Sequence, residues 1–139
     1  LDIMQVKDVM SRRVNTLPTT TKVFDAFVMM LDGGHTGYPV VGEDGKLSGI
    51  VTRRDLSRAL QEEKGDLGVG QVVSGLTITA FPDEVLHMAR DRMHAQDIGR
   101  LVVVDPEDRR SILGIITRSD ILHPESKGDE ENRSEAENP

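Results

Sequence analysis

The sequence predicts an α/β fold: two tandem β-α-β-β-α repeats packed as one compact module. Three observations lead there. The stretch Gly49-Ile50-Val51-Thr52-Arg53-Arg54-Asp55 returns as Gly114-Ile115-Ile116-Thr117-Arg118-Ser119-Asp120, 65 residues later (114 − 49). A recurrence in register marks a unit written twice. Upstream the spacing is 63, as between Ala26 and Ala89 (89 − 26), and Val40-Val41 matches Val103-Val104. The two extra residues fall in 105–110, which reads as a solvated loop where a change of length is cheap. Finally, a unit of about 60 residues buries only about 60% of its unfolded surface, so a chain of 139 residues suits two half-sized units that stabilise each other. The division expected is repeat 1 over 1–62, repeat 2 over 63–123 and a disordered acidic tail over 124–139.

Each element follows from local pattern. Val6-Lys7-Asp8-Val9-Met10 opens the first copy as a short apolar turn, echoed by Val69-Gly70-Gln71-Val72-Val73. Short strands follow, around Asn15-Thr16-Leu17 and Thr77-Ile78-Thr79. Val23, Ala26, Phe27, Met30 and Leu31 recur at helical spacing. Phe24, Val28 and Met29 extend that surface, so this helix is apolar nearly all round and is expected to be covered on more than one side, by core or by a partner. The matching helix over 84–96 is more polar and turns Leu86, Ala89 and Met93 inward. Gly33-Gly34 reads as a helix stop. Strands at 38–41 and 47–52 flank Gly42-Glu43-Asp44-Gly45, a hairpin turn by its Asp-Gly step. The second copy supplies 101–104 and 112–117. Helices follow at 55–61 and, before Pro124, in the second copy; 61–70 reads as a polar linker.

Composition narrows the function. Six acids in the tail (Glu125, Asp129, Glu130, Glu131, Glu135, Glu137) against Lys127 and Arg133 carry −4 of the net −7, the pattern of a solvated end. With three Phe, one Tyr and no Trp, an acidic chain lacks the basic stripe and stacking platform of a nucleic-acid binder. The absence of cysteine excludes disulfides and thiolate metal sites and fits the cytoplasm. No apolar run is long enough to insert in a membrane, and no signal peptide is visible.

The repeated motif supports two readings. Thr52 and Thr117 cap helices, with Asp55 and Asp120 at the third helical position in a variant of the capping box, where a carboxylate also complements the helix dipole. The same geometry suits a nucleotide. A helix N-terminus and a Thr hydroxyl favour phosphate, Arg53 and Arg118 add fixed charge, and an ionised Asp can accept from a ribose diol. A cap that faces a cleft serves both purposes.

Together, the opening turn, the strand with a Thr before the helix, a Pro-Val-Val-type strand and Gly-h-h-Thr-x-x-Asp (h, hydrophobic), in two copies over residues 6–122, resemble a tandem CBS-domain pair, named for cystathionine β-synthase. The resemblance implies a regulatory module, not an enzyme, whose central cleft holds adenosine nucleotides (AMP, ADP or ATP) as regulatory ligands, with no obligatory cofactor. It implies that Asp55 and Asp120 take ribose hydroxyls, that Thr52 and Thr117 lie near phosphate, and that Thr16, Leu17, Tyr38, Pro39, Thr79, Ala80 and Leu101 line adenine. Pro39 has Val102 as its counterpart, a departure that makes the two sites unequal. More narrowly, His35-Thr36-Gly37-Tyr38-Pro39-Val40-Val41 and the run from Arg109 to Arg118 resemble the CBS pair at the cytoplasmic end of chloride channels and chloride/proton antiporters. The expected partners are a nucleotide, a second copy of the chain through the apolar helix 23–31, and the membrane domain of such a parent. A stand-alone or structural dimerisation module with no nucleotide bound is the alternative.

The remaining reactive residues form no pattern. His35, His87, His94 and His123 lack metal-site spacing, and His87 with His94 reads as a partly exposed structural pair. The six Met fill core or interface gaps, and no nucleophile elbow is present.

Overall fold

The computed structural model describes residues 3–33, 37–73 and 78–124. The elements run α1 (Val6–Val9), β1 (Leu17–Pro18), α2 (Val23–Gly33), β2 (Gly37–Val41), β3 (Leu47–Thr52), α3 (Arg53–Gln61), a 3₁₀ turn (Val69–Gln71), β4 (Thr79–Ala80), α4 (Leu86–Gln96), β5 (Arg100–Asp105), β6 (Asp108–Thr117) and α5 (Arg118–Leu122). The expected β-α-β-β-α order therefore occurs twice. Each copy has a three-stranded sheet, β1-β2-β3 or β4-β5-β6, in which the first two strands are parallel and the last two antiparallel. The acidic tail from 125 onward, His35, Thr36 and Gly34 lie outside the described residues.

Packing does not follow the repeat boundaries. One compact unit comprises the described residues of Leu1–Val14 and Ile78–Pro139, the other those of Asn15–Thr77. The opening segment of the chain thus packs with the elements of the second repeat. Val6, Val9 and Met10 join Ala89, Met93, Leu101 and Ile116 in one core. In the other, Val69 joins Val23, Met30, Val40, Val51 and Leu56.

Hydrogen bonds explain the exchange. A helix start leaves N–H groups without intrahelical partners, and here opening segments supply carbonyls. Leu86 N–H donates to Met4 O (2.9 Å), while Val6 and Lys7 N–H donate to Glu84 O and Pro82 O. In the continuous unit, Val23 N–H donates to Leu67 O (2.8 Å) and Phe24 N–H to Gly65 O (3.0 Å), so the expected polar linker 61–70 is built into the start of α2. Ser11 also exchanges two backbone hydrogen bonds with Ile115, extending the edge of β6 (2.8 and 2.9 Å). Lys7 Nζ meets Asp83 Oδ1 at 2.9 Å. The hydrogen bond and charge of Asp83 raise the Lys7 ammonium above its usual 10.5, so this contact is present at neutral pH and is lost as pH rises through that raised value.

Strand boundaries differ from expectation at β1 and β4, which begin at Leu17 and Thr79, and at the second hairpin. Residues 108–110 belong to β6, not to a loop: Asp105 pairs with Asp108, and the hairpin turns within that step. Charged side chains hide this strand because its outer part is exposed on both faces. The β2–β3 turn is as expected, with Gly45 at φ +74°, a conformation that costs other residues more.

Candidate functional site

Both motif copies form capping boxes. Asp55 N–H donates to Thr52 Oγ1 (3.1 Å) and Thr52 N–H to Asp55 Oδ2 (2.9 Å). In the second copy the same bonds measure 3.2 and 2.9 Å between Thr117 and Asp120. The local cause is that β3 and β6 end in an extended Thr, with φ −105° and −113°, directly before a helical turn. One accepted hydrogen bond uses a fraction of the roughly four acceptor positions of a carboxylate, so a cap of this kind is compatible with a ligand hydroxyl. Asp55 is half-buried, and Asp120 is the buried charged residue in the described part of the chain. The Arg118 guanidinium turns to Ile98 O (3.0 Å), and its backbone N–H donates to Gly99 O.

The strand pairing gathers the other expected residues by unit. Because β3 runs antiparallel to β2, the start of β2 lies beside the end of β3, whereas β1, parallel to β2, begins three residues further along, with Leu17 opposite Val40. Gly37 pairs with Thr52 at that end, Tyr38 and Pro39 are the next two residues of β2, and Thr16 and Leu17 lie further along, at the start of β1. In the second sheet Thr117 pairs with Arg100 at the equivalent end, Leu101 follows, and Thr79 and Ala80 lie opposite Val102 and Val103. Side-chain direction sorts them further. Leu17, Tyr38, Ala80 and Leu101 belong to the hydrophobic cores, which leaves their backbones as the groups that could meet a ligand. Pro39 and Val102 alternate with those residues and so point to the opposite sheet face. Thr16 is exposed and Thr79 half-buried.

Two arginines escaped the sequence reading. Arg100 pairs with Thr117 across β5 and β6, and its buried Nε donates to no described residue. Arg92 bridges α4 to β4 through Thr79 O (2.8 Å). The signal was the 63-residue alignment, which sets them against Gly37 and Met29.

A family model of the CBS domain matches residues 6–62 and again 69–125. The chain belongs to the CBS-domain family. The CBS pair of protein MJ0100, crystallised with 5′-methylthioadenosine and S-adenosyl-L-methionine, superimposes with TM-score 0.73 at 30% identity, covering 88% of this chain and 95% of that one. A homoserine O-acetyltransferase of Methanococcoides burtonii is 37% identical over 116 residues, and an L-aspartate semialdehyde sulfurtransferase of Methanocaldococcus jannaschii 31% over 119. These alignments cover 84% and 86% of this chain but only 23% of each relative. The CBS pair therefore spans about a quarter of those proteins.

The rest of the CBS pair offers few reactive groups. Among the described residues no cluster of His, Asp and Glu is placed to hold a metal, and no helix is long and apolar enough to cross a membrane. His87 and His94 are both exposed on α4. Met10, Met30 and Met93 fill cores, whereas Met29 and Met88 are exposed. The face of α2 expected to be covered is open in the single chain: Phe24, Val28, Met29 and Leu31 are exposed, and Leu31 lies outside the core stripe that keeps Val23, Ala26 and Met30.

Proposed function

We propose that this CBS pair is a regulatory module that senses an adenosine nucleotide and modulates the protein to which it is attached. One observation carries the reading: in each unit the Thr–Asp box stands at the end of the sheet where the second strand begins, with the first strand starting two or three residues further along. A ribose-phosphate recognised there would bring adenine against the strand backbones. The ligands named with the MJ0100 pair, both adenosine compounds, support that class. Arg53, Arg100 and Arg118 are the cations closest in sequence and register to such a phosphate. Regulation follows from differential affinity, since a ligand shifts an attached protein only by binding its two states unequally. The longer relatives, named for enzymes, favour an attached enzyme over the channel or antiporter implied by the narrower resemblance.

Calorimetry with AMP, ADP, ATP, S-adenosylmethionine and 5′-methylthioadenosine tests the site. Asp55→Ala and Asp120→Ala are each expected to weaken or abolish one binding event by about tenfold or more, as loss of charge-assisted hydrogen bonds implies. Each also loses its cap, worth about 1 kcal/mol, which thermal melting without ligand measures separately. Stoichiometry distinguishes one bound ligand from two. Unchanged binding in both variants would remove the site assignment. No response to any adenosine compound would favour the structural alternative.

The open α2 face is the proposed homodimer contact. Val28→Glu is expected to convert a dimer to a monomer in sedimentation without loss of helix content. A dimer that survives the charge places the contact elsewhere.

A further inference from the structure

The strand β4 is two residues long and pairs with β5 only at Thr79 and Ala80. So short a strand is weakly ordered by backbone alone, and side chains tie it down here. Arg92 reaches back from α4, donating through Nη1 to Thr79 O (2.8 Å) and through Nη1 and Nη2 to the Glu84 carboxylate (3.2 and 2.7 Å). Glu84 Oε1 in turn accepts from Phe81 N–H at 2.8 Å. The pair is withdrawn from solvent, with side chains 31% and 19% exposed, and a forked geometry of this kind is the strong form of ion pair. From the hairpin, the Arg109 guanidinium sits 5.2 Å from the Phe81 ring centroid, a cation–π distance.

The first copy cannot make these ties. At the same spacing, Thr16, Pro18, Thr21 and Met29 replace Thr79, Phe81, Glu84 and Arg92. It has no carboxylate, no guanidinium and no aromatic ring at those positions, and Arg109 lies in the segment that the second copy has gained.

We propose that the Arg92–Glu84 pair is a positioning device that makes the second-repeat half-site the tighter of two unequal adenosine sites. This rests on the nucleotide reading above. By ordering β4 before a ligand arrives, the pair removes part of the ordering cost that binding otherwise bears. Arg92 touches no ligand in this scheme. It acts through Thr79 and Ala80.

The test is calorimetric titration of the intact chain with AMP and 5′-methylthioadenosine. Arg92→Met, which writes the first copy's residue into the second, is placed in two backgrounds. In Asp55→Ala, where the second half-site remains, affinity is expected to fall by about tenfold, the scale of hydrogen bonds to a charged group. In Asp120→Ala, where the first remains, it is expected to change by less than about twofold. Arg92→Lys keeps the charge but not the fork, and should recover part of the loss. Amide exchange at Thr79 and Ala80 should quicken in Arg92→Met while melting shows the fold retained. Equal weakening in both backgrounds, or in neither, overturns the assignment. If the unaltered chain binds no adenosine compound, the proposed function fails first and takes this inference with it. Binding by the unaltered chain with no selective effect of Arg92→Met defeats this inference alone.

Discussion

Leu101→Ala is expected to lower stability by about 2–5 kcal/mol, the range for a large side chain removed from a close-packed core. Leu101 is 0% exposed, faces Ile116 across β5 and β6, and packs in the cluster of Val6, Val9, Ala89 and Met93. The sequence reading had set this residue in the wall of a ligand site. Its core position predicts a different signature. Urea unfolding should show the full loss, and native-state amide exchange should localise it to the unit containing β5. Nucleotide affinity of the folded fraction should change little. Selective loss of binding with stability intact would return Leu101 to the ligand wall.

Gly114→Val is expected to cost about 1–3 kcal/mol through overpacking. A Cβ at this position would lie 2.6 Å from Ser11 O and 3.0 Å from Met10 Sδ. The Met10 side chain can move aside, but the Ser11 carbonyl is held by its bond from Ile115 N–H. The glycine at this position therefore makes room for the opening segment, which pairs with β6 at Ser11. A double-mutant cycle checks this origin. Removing residues 1–11 should abolish most of the cost of Gly114→Val; a cost that persists in full would place the clash elsewhere.

The order of elements and the hydrogen bonds of both caps were legible because they are local: Thr-x-x-Asp after an apolar strand specifies a box within one turn. Direction of burial was not. In Leu101 to Val104 every residue is apolar and buried, so alternation carries no signal about which side chain faces the core. The Arg92–Glu84 pair was hidden for the opposite reason. Charges eight apart on a polar helix read as solvent-facing until the chain folds Thr79 against them. The exchange of opening segments was also invisible. Val6, Val9 and Val69 announce that they need burial, but four-residue turns do not announce where.

That exchange sets an order of events during synthesis. The unit of Asn15–Thr77 is continuous, and all its parts exist once the ribosome has released residue 77. The other unit joins residues made before that stretch, Leu1–Val14, to residues made after it, from Ile78 onward. Its opening helix therefore waits, with Val6 and Val9 uncovered, until α4 and β6 emerge. The opening segment that seals the finished unit is thus an apolar stretch with a long interval in which to find the wrong surface.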